Sequence, residues 1–216
     1  MYSKNIENDI KGLKAIKEGL TNTSFVFEVF GNKYVYRHPG DGTEEIISRQ
    51  HEKKALEIAK KIGADSTFIY MDDVEGWKIS SFVPNIRVPD YSNFEDSKRV
   101  LDVMRSLHDK KMSVDWEFLP WEEALKIEEL LRNGDGIAMP DFDELKANVR
   151  KCFDKTIGDG VEKRFCHCDT YAPNWMISGD KTILIDWEYA AMQDPHVDIA
   201  MFCIYAFYDK SQVDEL

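Results

Sequence analysis

Phe165-Cys166-His167-Cys168-Asp169-Thr170-Tyr171-Ala172-Pro173-Asn174-Trp175, followed by Ile183-Leu184-Ile185-Asp186-Trp187-Glu188, is the stretch on which the reading of this 216-residue chain turns. Asp169 and Asn174 lie five apart, and Asp186 closes an apolar run twelve residues further on. Phosphoryl transfer needs one carboxylate beside the attacking hydroxyl, and two or three oxygen ligands for the magnesium that bridges the phosphates of ATP. Taken singly, a loop Asp or Asn is usually a turn-former and Asp186 could cap a helix. Together, H-x-D-x-x-x-x-N, an apolar strand and a closing Asp demand that spacing and secondary structure agree. The pattern implies Asp169 as catalytic base, with Asn174 and Asp186 as the metal ligands. His167 is read as a buried organiser of the loop. Asp198, in Asp194-Pro195-His196-Val197-Asp198, is read as holding the loop from behind rather than as a helix cap.

Outward from that loop, hydrophobic spacing predicts helices over about 92–109, 121–132 and 141–157. A strand-loop-strand segment over about 164–186 has a tight turn at Ser178-Gly179-Asp180-Lys181, and a last helix runs from near Pro195 to the end. Toward the N-terminus, Ile6, Ile10, Leu13 and Ile16 predict a short helix over 4–18. Ser24–Phe30 and Lys33–His38, joined at Gly31-Asn32, read as a hairpin. Thr43 is placed as the cap of a long helix ending at Gly63. Thr67–Met71 and Trp77–Phe82 form a second strand pair, and Pro84 ends that pattern. The expectation is an α+β chain in two lobes: a β-rich N-terminal lobe over 1–84 and a mainly helical C-terminal lobe over 85–216. A ligand cleft is expected between them. Ser211–Leu216 carries no helix-stop signal, so a longer protein cut off before its last helices is expected.

Bulk properties exclude several classes. The hydrophobic content of 43% and charged content of 31% describe an ordinary globular protein. A net charge of -12 argues against nucleic acid as partner. No stretch approaches the roughly 20 apolar residues of a membrane span, and the N-terminus lacks a signal-peptide core. The four cysteines, Cys152, Cys166, Cys168 and Cys203, make neither a disulfide framework nor a zinc pattern. A cytoplasmic protein with reduced thiols is expected.

The 165–175 loop and Asp186-Trp187-Glu188-Tyr189-Ala190 resemble the aminoglycoside phosphotransferase and choline kinase superfamily, and the resemblance covers nearly the whole chain. That resemblance implies a two-lobed protein-kinase-like fold, with ATP and Mg2+ as cofactors. Gly19-Leu20-Thr21-Asn22 is similar to the phosphate-covering loop of choline and ethanolamine kinases, where backbone N–H groups cradle phosphate oxygens. Lys33–Gly40 resembles their third strand, with Arg37 in the place of the usual ATP-binding Lys; its planar fork suits phosphate. The long helix carries Arg49 and Glu52 where the family has its ion-pair glutamate. Ser81-Phe82-Val83 is implied as the interlobe strand that holds adenine.

The resemblance further implies an amino-alcohol acceptor, with choline first and ethanolamine, an aminoglycoside or another amino-alcohol as alternatives. A nucleotide-binding module without catalysis is the alternative of another class, and the intact Asp169, Asn174 and Asp186 set speaks against it. Aromatic faces attract a quaternary ammonium. Tyr205 and Tyr208, on the last helix with Phe202 and Phe207, are candidate walls of that pocket, and Glu188 a candidate carboxylate near the acceptor.

Overall fold

A computed structural model describes residues 9–16, 22–40, 42–43 and 47–216. Five antiparallel strands, β1 (Lys11–Ile16), β2 (Thr23–Val29), β3 (Asn32–His38), β4 (Phe68–Met71) and β5 (Lys78–Ser81), form one sheet in the order β1-β2-β3-β5-β4. Helix α1 (Arg49–Ile62) lies between β3 and β4 in sequence. Its buried residues Ala55, Leu56 and Ala59 join Phe68 and Met71 in the core. Ser48 caps α1, and Gly63 ends it in the left-handed conformation at φ 84. A residue with a Cβ is disfavoured there.

The remainder is mainly helical. Helices α2 (Phe94–Asp109), α3 (Pro120–Asn133) and α4 (Phe142–Thr156) precede four short strands and two further helices. Strand β6 (Arg164–Cys166) pairs with β9 (Ala191–Gln193), and β7 (Trp175–Ser178) with β8 (Lys181–Leu184). Helices α5 (His196–Tyr205) and α6 (Lys210–Glu215) follow. The apolar side of α2, through Val100, Met104 and Leu107, packs with Phe165, Trp175, Leu184, Trp187 and Phe202. The N–H of Leu184 donates to the carbonyl of Ala64 at 3.1 Å, so the strand leading to Asp186 is tied to the end of α1. Among the described residues no helix is long and apolar enough to cross a membrane.

Four expectations need correction. Residues 11–16 form an edge strand, not part of a helix: Ile16 pairs with Ser24, Ala15 with Phe25 and Lys14 with Val26. Ile10 and Leu13 are exposed, so their helical spacing marks no buried face and strand pairing wins. Residues 4–8 and 17–18 of the expected helix lie outside the described residues. The hairpin turn is Phe30-Gly31, not Gly31-Asn32, because both carry positive φ (50 and 78) and Asn32 already pairs with Val29. Two positive-φ residues are what a two-residue type I′ hairpin requires.

Thr43 does not cap α1; its hydroxyl donates to Gly40 O at 2.7 Å, closing a turn before the helix. Finally, the last helix breaks in two. The N–H of Phe207 donates to Ile204 O and that of Tyr208 to Cys203 O, each at 3.1 Å, with Phe207 at φ 55. This is a Schellman ending with Phe where Gly is usual. Asp209 then starts α6 with a capping box to Gln212.

Candidate active site

The loop after β6 is built around one buried carboxylate. Asp198, in the first turn of α5 and fully buried, accepts the N–H of His167 at 3.0 Å and of Cys168 at 2.7 Å. His108 Nε2 lies 2.9 Å from the same carboxylate, and the Thr170 hydroxyl donates to the main-chain oxygen of Asp198 at 2.6 Å. Cys168 sits at φ 65, a left-handed conformation that costs a residue with a Cβ about 1 kcal/mol or more. Two charge-assisted hydrogen bonds at the same turn offset that cost.

His167 closes the loop from inside. Its Nε2 lies 2.9 Å from Ile185 O, and its Nδ1 accepts the N–H of Asp169 at 3.2 Å. The tautomer protonated at Nε2 satisfies both contacts, so this imidazole is occupied as a brace and its ring packs edge-on against Trp187. It has no nitrogen left for proton transfer. That agrees with its reading as a loop organiser.

Asp169 and Asn174 meet directly. The side-chain amide of Asn174 donates to the carbonyl and to Oδ2 of Asp169, both at 2.8 Å. The carbonyl of Asn174 accepts the N–H of Ile185 at 2.9 Å, which brings the strand exit carrying Asp186 alongside. Burial lifts the Asp169 carboxyl above the ordinary range; His167 and the Asn174 hydrogen bond work against that lift, and the charges of Asp186 and Asp198 add to it. Asp186 goes the other way. Burial would raise it, but Arg37 and then Lys78 outweigh burial and hold it low.

Arg37 crosses from β3 to meet it. Its guanidinium pairs with Asp186, with Glu188 at 2.6 Å and with Glu52 at 3.3 Å. Glu52, whose side chain is wholly buried, also pairs with Arg49 at 3.0 Å and with Lys78 at 3.2 Å. Burial alone would raise Glu52; Lys78 and Arg37 bring it below the ordinary range. Glu188 is raised, by burial first and then by repulsion from Asp186. Carboxylate oxygens of Glu52, Asp186 and Glu188 all lie within 4.8 Å of one another. The donor set fits a hard divalent cation, which takes oxygen ligands. Asp186 belongs to that cluster, while the Asn174 amide is bonded through its nitrogen to Asp169, with its side-chain oxygen not engaged by those bonds.

Other expected residues fall in varied places. Gly19, Leu20 and Thr21 lie outside the described residues. Asn22 is described, and its Oδ1 accepts the N–H of Gly40 at 3.3 Å. The N–H groups of Ser81 and Phe82 donate within the sheet, to Thr67 O at 2.8 Å and Lys33 O at 3.1 Å. Glu188 pairs with Arg37, whose guanidinium offers this buried carboxylate its charge. Tyr208 is engaged elsewhere: its hydroxyl lies 2.6 Å from Ser97 Oγ and 2.6 Å from Tyr91 O, pinning the α5–α6 junction to α2. Tyr205 is half-exposed and packs 5.1 Å from the ring of Tyr171. Two residues escaped the sequence reading. Tyr171, two past Asp169, was legible only as a loop residue. Lys78 is buried on β5, and its signal was a lone charge inside the strand-like run Trp77–Phe82.

A model of the phosphotransferase enzyme family matches residues 12–216. The chain belongs to that family. Protein LicA of Haemophilus influenzae is similar to this family member at 26% identity over 203 residues, which is 92% of the chain and 59% of that relative. The chain thus spans just under three fifths of the length of that curated relative. A crystal structure of choline kinase LicA from Streptococcus pneumoniae superposes with a TM-score of 0.83 at 24% identity, over 96% of this chain and 73% of that one. A crystal structure of LicA in complex with AMP gives 0.82 at 24% identity, over 95% and 71%. Likeness at this level establishes the fold of this phosphotransferase-family chain as the two-lobed protein-kinase-like one.

Proposed function

We propose that this chain transfers the γ-phosphoryl group of ATP, with magnesium, to the hydroxyl of choline, giving phosphocholine. One observation carries the reading. Asp169, a carboxylate lifted above its ordinary range, is clamped by Asn174, whose backbone is bonded to the strand exit that presents Asp186. Asp169 is the group to orient the acceptor hydroxyl and take its proton. Asn174 and Asp186 would hold the magnesium, which when bound neutralises charge on the phosphates. Arg37 and the Gly19–Asn22 segment bind phosphate oxygens. Ser81–Val83 is the proposed adenine strand, in a cleft between lobes 1–84 and 85–216.

Choline as acceptor is supported by the LicA similarity and by the tyrosine pair beside the base. A trimethylammonium group has no N–H to donate, so it depends on aromatic faces, each contributing about 2 kcal/mol when desolvated. The rings of Tyr171 and Tyr205 stand 5.1 Å apart and tilted, two residues on from Asp169 along the loop and at the end of α5. The test is a turnover assay with ATP, magnesium and a panel of choline, ethanolamine and kanamycin. Choline is expected to give the highest kcat/KM. Kanamycin as best substrate would overturn the choline assignment and leave the phosphotransferase reading standing.

A further inference from the structure

Arg37 has more to do than one guanidinium can manage at once. In this structure it touches Glu52 Oε1, Asp186 and Glu188, and among the described residues its buried Nε has no partner. A triphosphate in the cleft would draw that fork away from the carboxylates. Glu52 would then lose a counter-charge in a place where an uncompensated ion is costly.

Lys78 stands where Arg37 would leave. Its Nζ is 3.2 Å from Glu52 Oε1 and 3.7 Å from Asp186 Oδ1, the same two oxygens that Arg37 engages. Arg49 cannot substitute, since it holds the other oxygen, Oε2. The arrangement is deliberate in its cost. Arg37 and Lys78 are direct partners across β3 and β5, so their side chains share a face, and like charges there are destabilising. Lys78 is also buried, at 7% exposure, which a lysine tolerates only when paired. A structural lysine would gain nothing from facing an arginine.

We propose that Lys78 is a positioning residue for nucleotide binding: it stays on Glu52 Oε1 and Asp186 when Arg37 turns to the phosphates. The proposal rests on the ATP reading above. Two cations share one carboxylate pair; one turns to the ligand and the other remains.

The test is ATP affinity by isothermal titration, with magnesium and separately with EDTA, for the wild type, Lys78→Met, Lys78→Arg, Glu52→Gln and the double variant Glu52→Gln/Lys78→Met. Lys78→Met is expected to weaken ATP by about tenfold or more in both buffers, the order of loss when one partner of a buried charge pair is removed. Lys78→Arg should stay within about threefold of wild type, and in the Glu52→Gln background the Met substitution should add less than about threefold. Should Lys78→Met alone fail to fold, the double variant is expected to fold and bind ATP as Glu52→Gln does. Wild-type affinity in a folded Lys78→Met, or an undiminished loss in the Glu52→Gln background, overturns the proposal while the ATP reading stands. A wild-type protein that binds no ATP overturns both.

Discussion

The side-chain amide of Asn174 donates twice to Asp169, to the main-chain carbonyl and to Oδ2, at 2.8 Å each. Both N–H groups of one asparagine are thereby committed, and its oxygen is aimed away from the base. In the proposed mechanism this single residue orients the base and offers a metal ligand. This is why a five-residue spacing matters more than either residue type.

Asp169→Ala is expected to cut phosphoryl transfer by about 10²–10⁴-fold, the usual contribution of a positioned base, with ATP affinity nearly intact. In the wild type, kcat should rise with pH through the lifted pKa of Asp169 and then level, because only the ionised carboxylate accepts a proton. Steady-state rates from pH 4 to 8 check both. A near-normal kcat in the alanine variant removes Asp169 from the role.

Asn174→Ala and Asp186→Ala should differ in kind. Both remove an oxygen ligand and so weaken magnesium-dependent nucleotide binding. Only Asn174→Ala also frees the base, so at saturating metal and ATP its kcat should stay about tenfold or more down. Titrations with and without magnesium decide it: equal losses in the two conditions would make both residues structural.

How much of this could be read from the chain follows from distance along it. Asp169, Asn174 and Asp186 lie within one loop-strand unit, so spacing alone placed them together. The role of His167 was legible too, since the loop needs an internal brace. Lys78 was not, because its meaning depends on β5 lying beside β3 and on Glu52, 26 residues away on α1. The strand over Lys11–Ile16 was read as a helix because an exposed edge strand carries no alternating pattern, and its pairing to β2 decides it. The break after Tyr205 was hidden because a Schellman ending with Phe207 lacks the usual glycine.

Asp96 provides a stability test away from the chemistry. It is buried at the start of α2, accepts from Arg87 at 2.8 Å and from the N–H of Asp90 at 2.9 Å, and its pKa falls to about 2. The hydrogen bond from Arg87 is the largest cause of that shift. A folded pKa below the unfolded value of about 3.9 means stability present above that value and lost as pH falls toward 2. Arg87 is half-exposed, so solvent screens the pair and its contribution is modest. Asp96→Asn should therefore lower Tm by about 2–4 °C at pH 7, and the gap to wild type should narrow at pH 3. A gap that is the same at both pH values would deny the ion pair its role.

Asp198→Ala is expected to damage both fold and rate. The carboxylate takes the N–H groups of His167 and Cys168 and faces His108, all in a region without solvent. Removing it leaves two buried backbone donors unsatisfied, at about 1–3 kcal/mol each. It also withdraws what holds Cys168 at φ 65, so the turn before Asp169 is free to relax to an ordinary conformation. A shift of about 1 Å at the base can cost about a hundredfold in rate. The proposed nucleotide contacts lie on β3 and β5, away from this loop, so the KM for ATP should move far less than kcat. Asp198→Asn keeps one acceptor but sets its amide against a backbone N–H, and should fall between the two. Thermal unfolding with steady-state kinetics on both variants is the measurement. A kcat that holds while Tm drops would make Asp198 a matter of stability alone, with the loop kept in shape by Thr170 and His167.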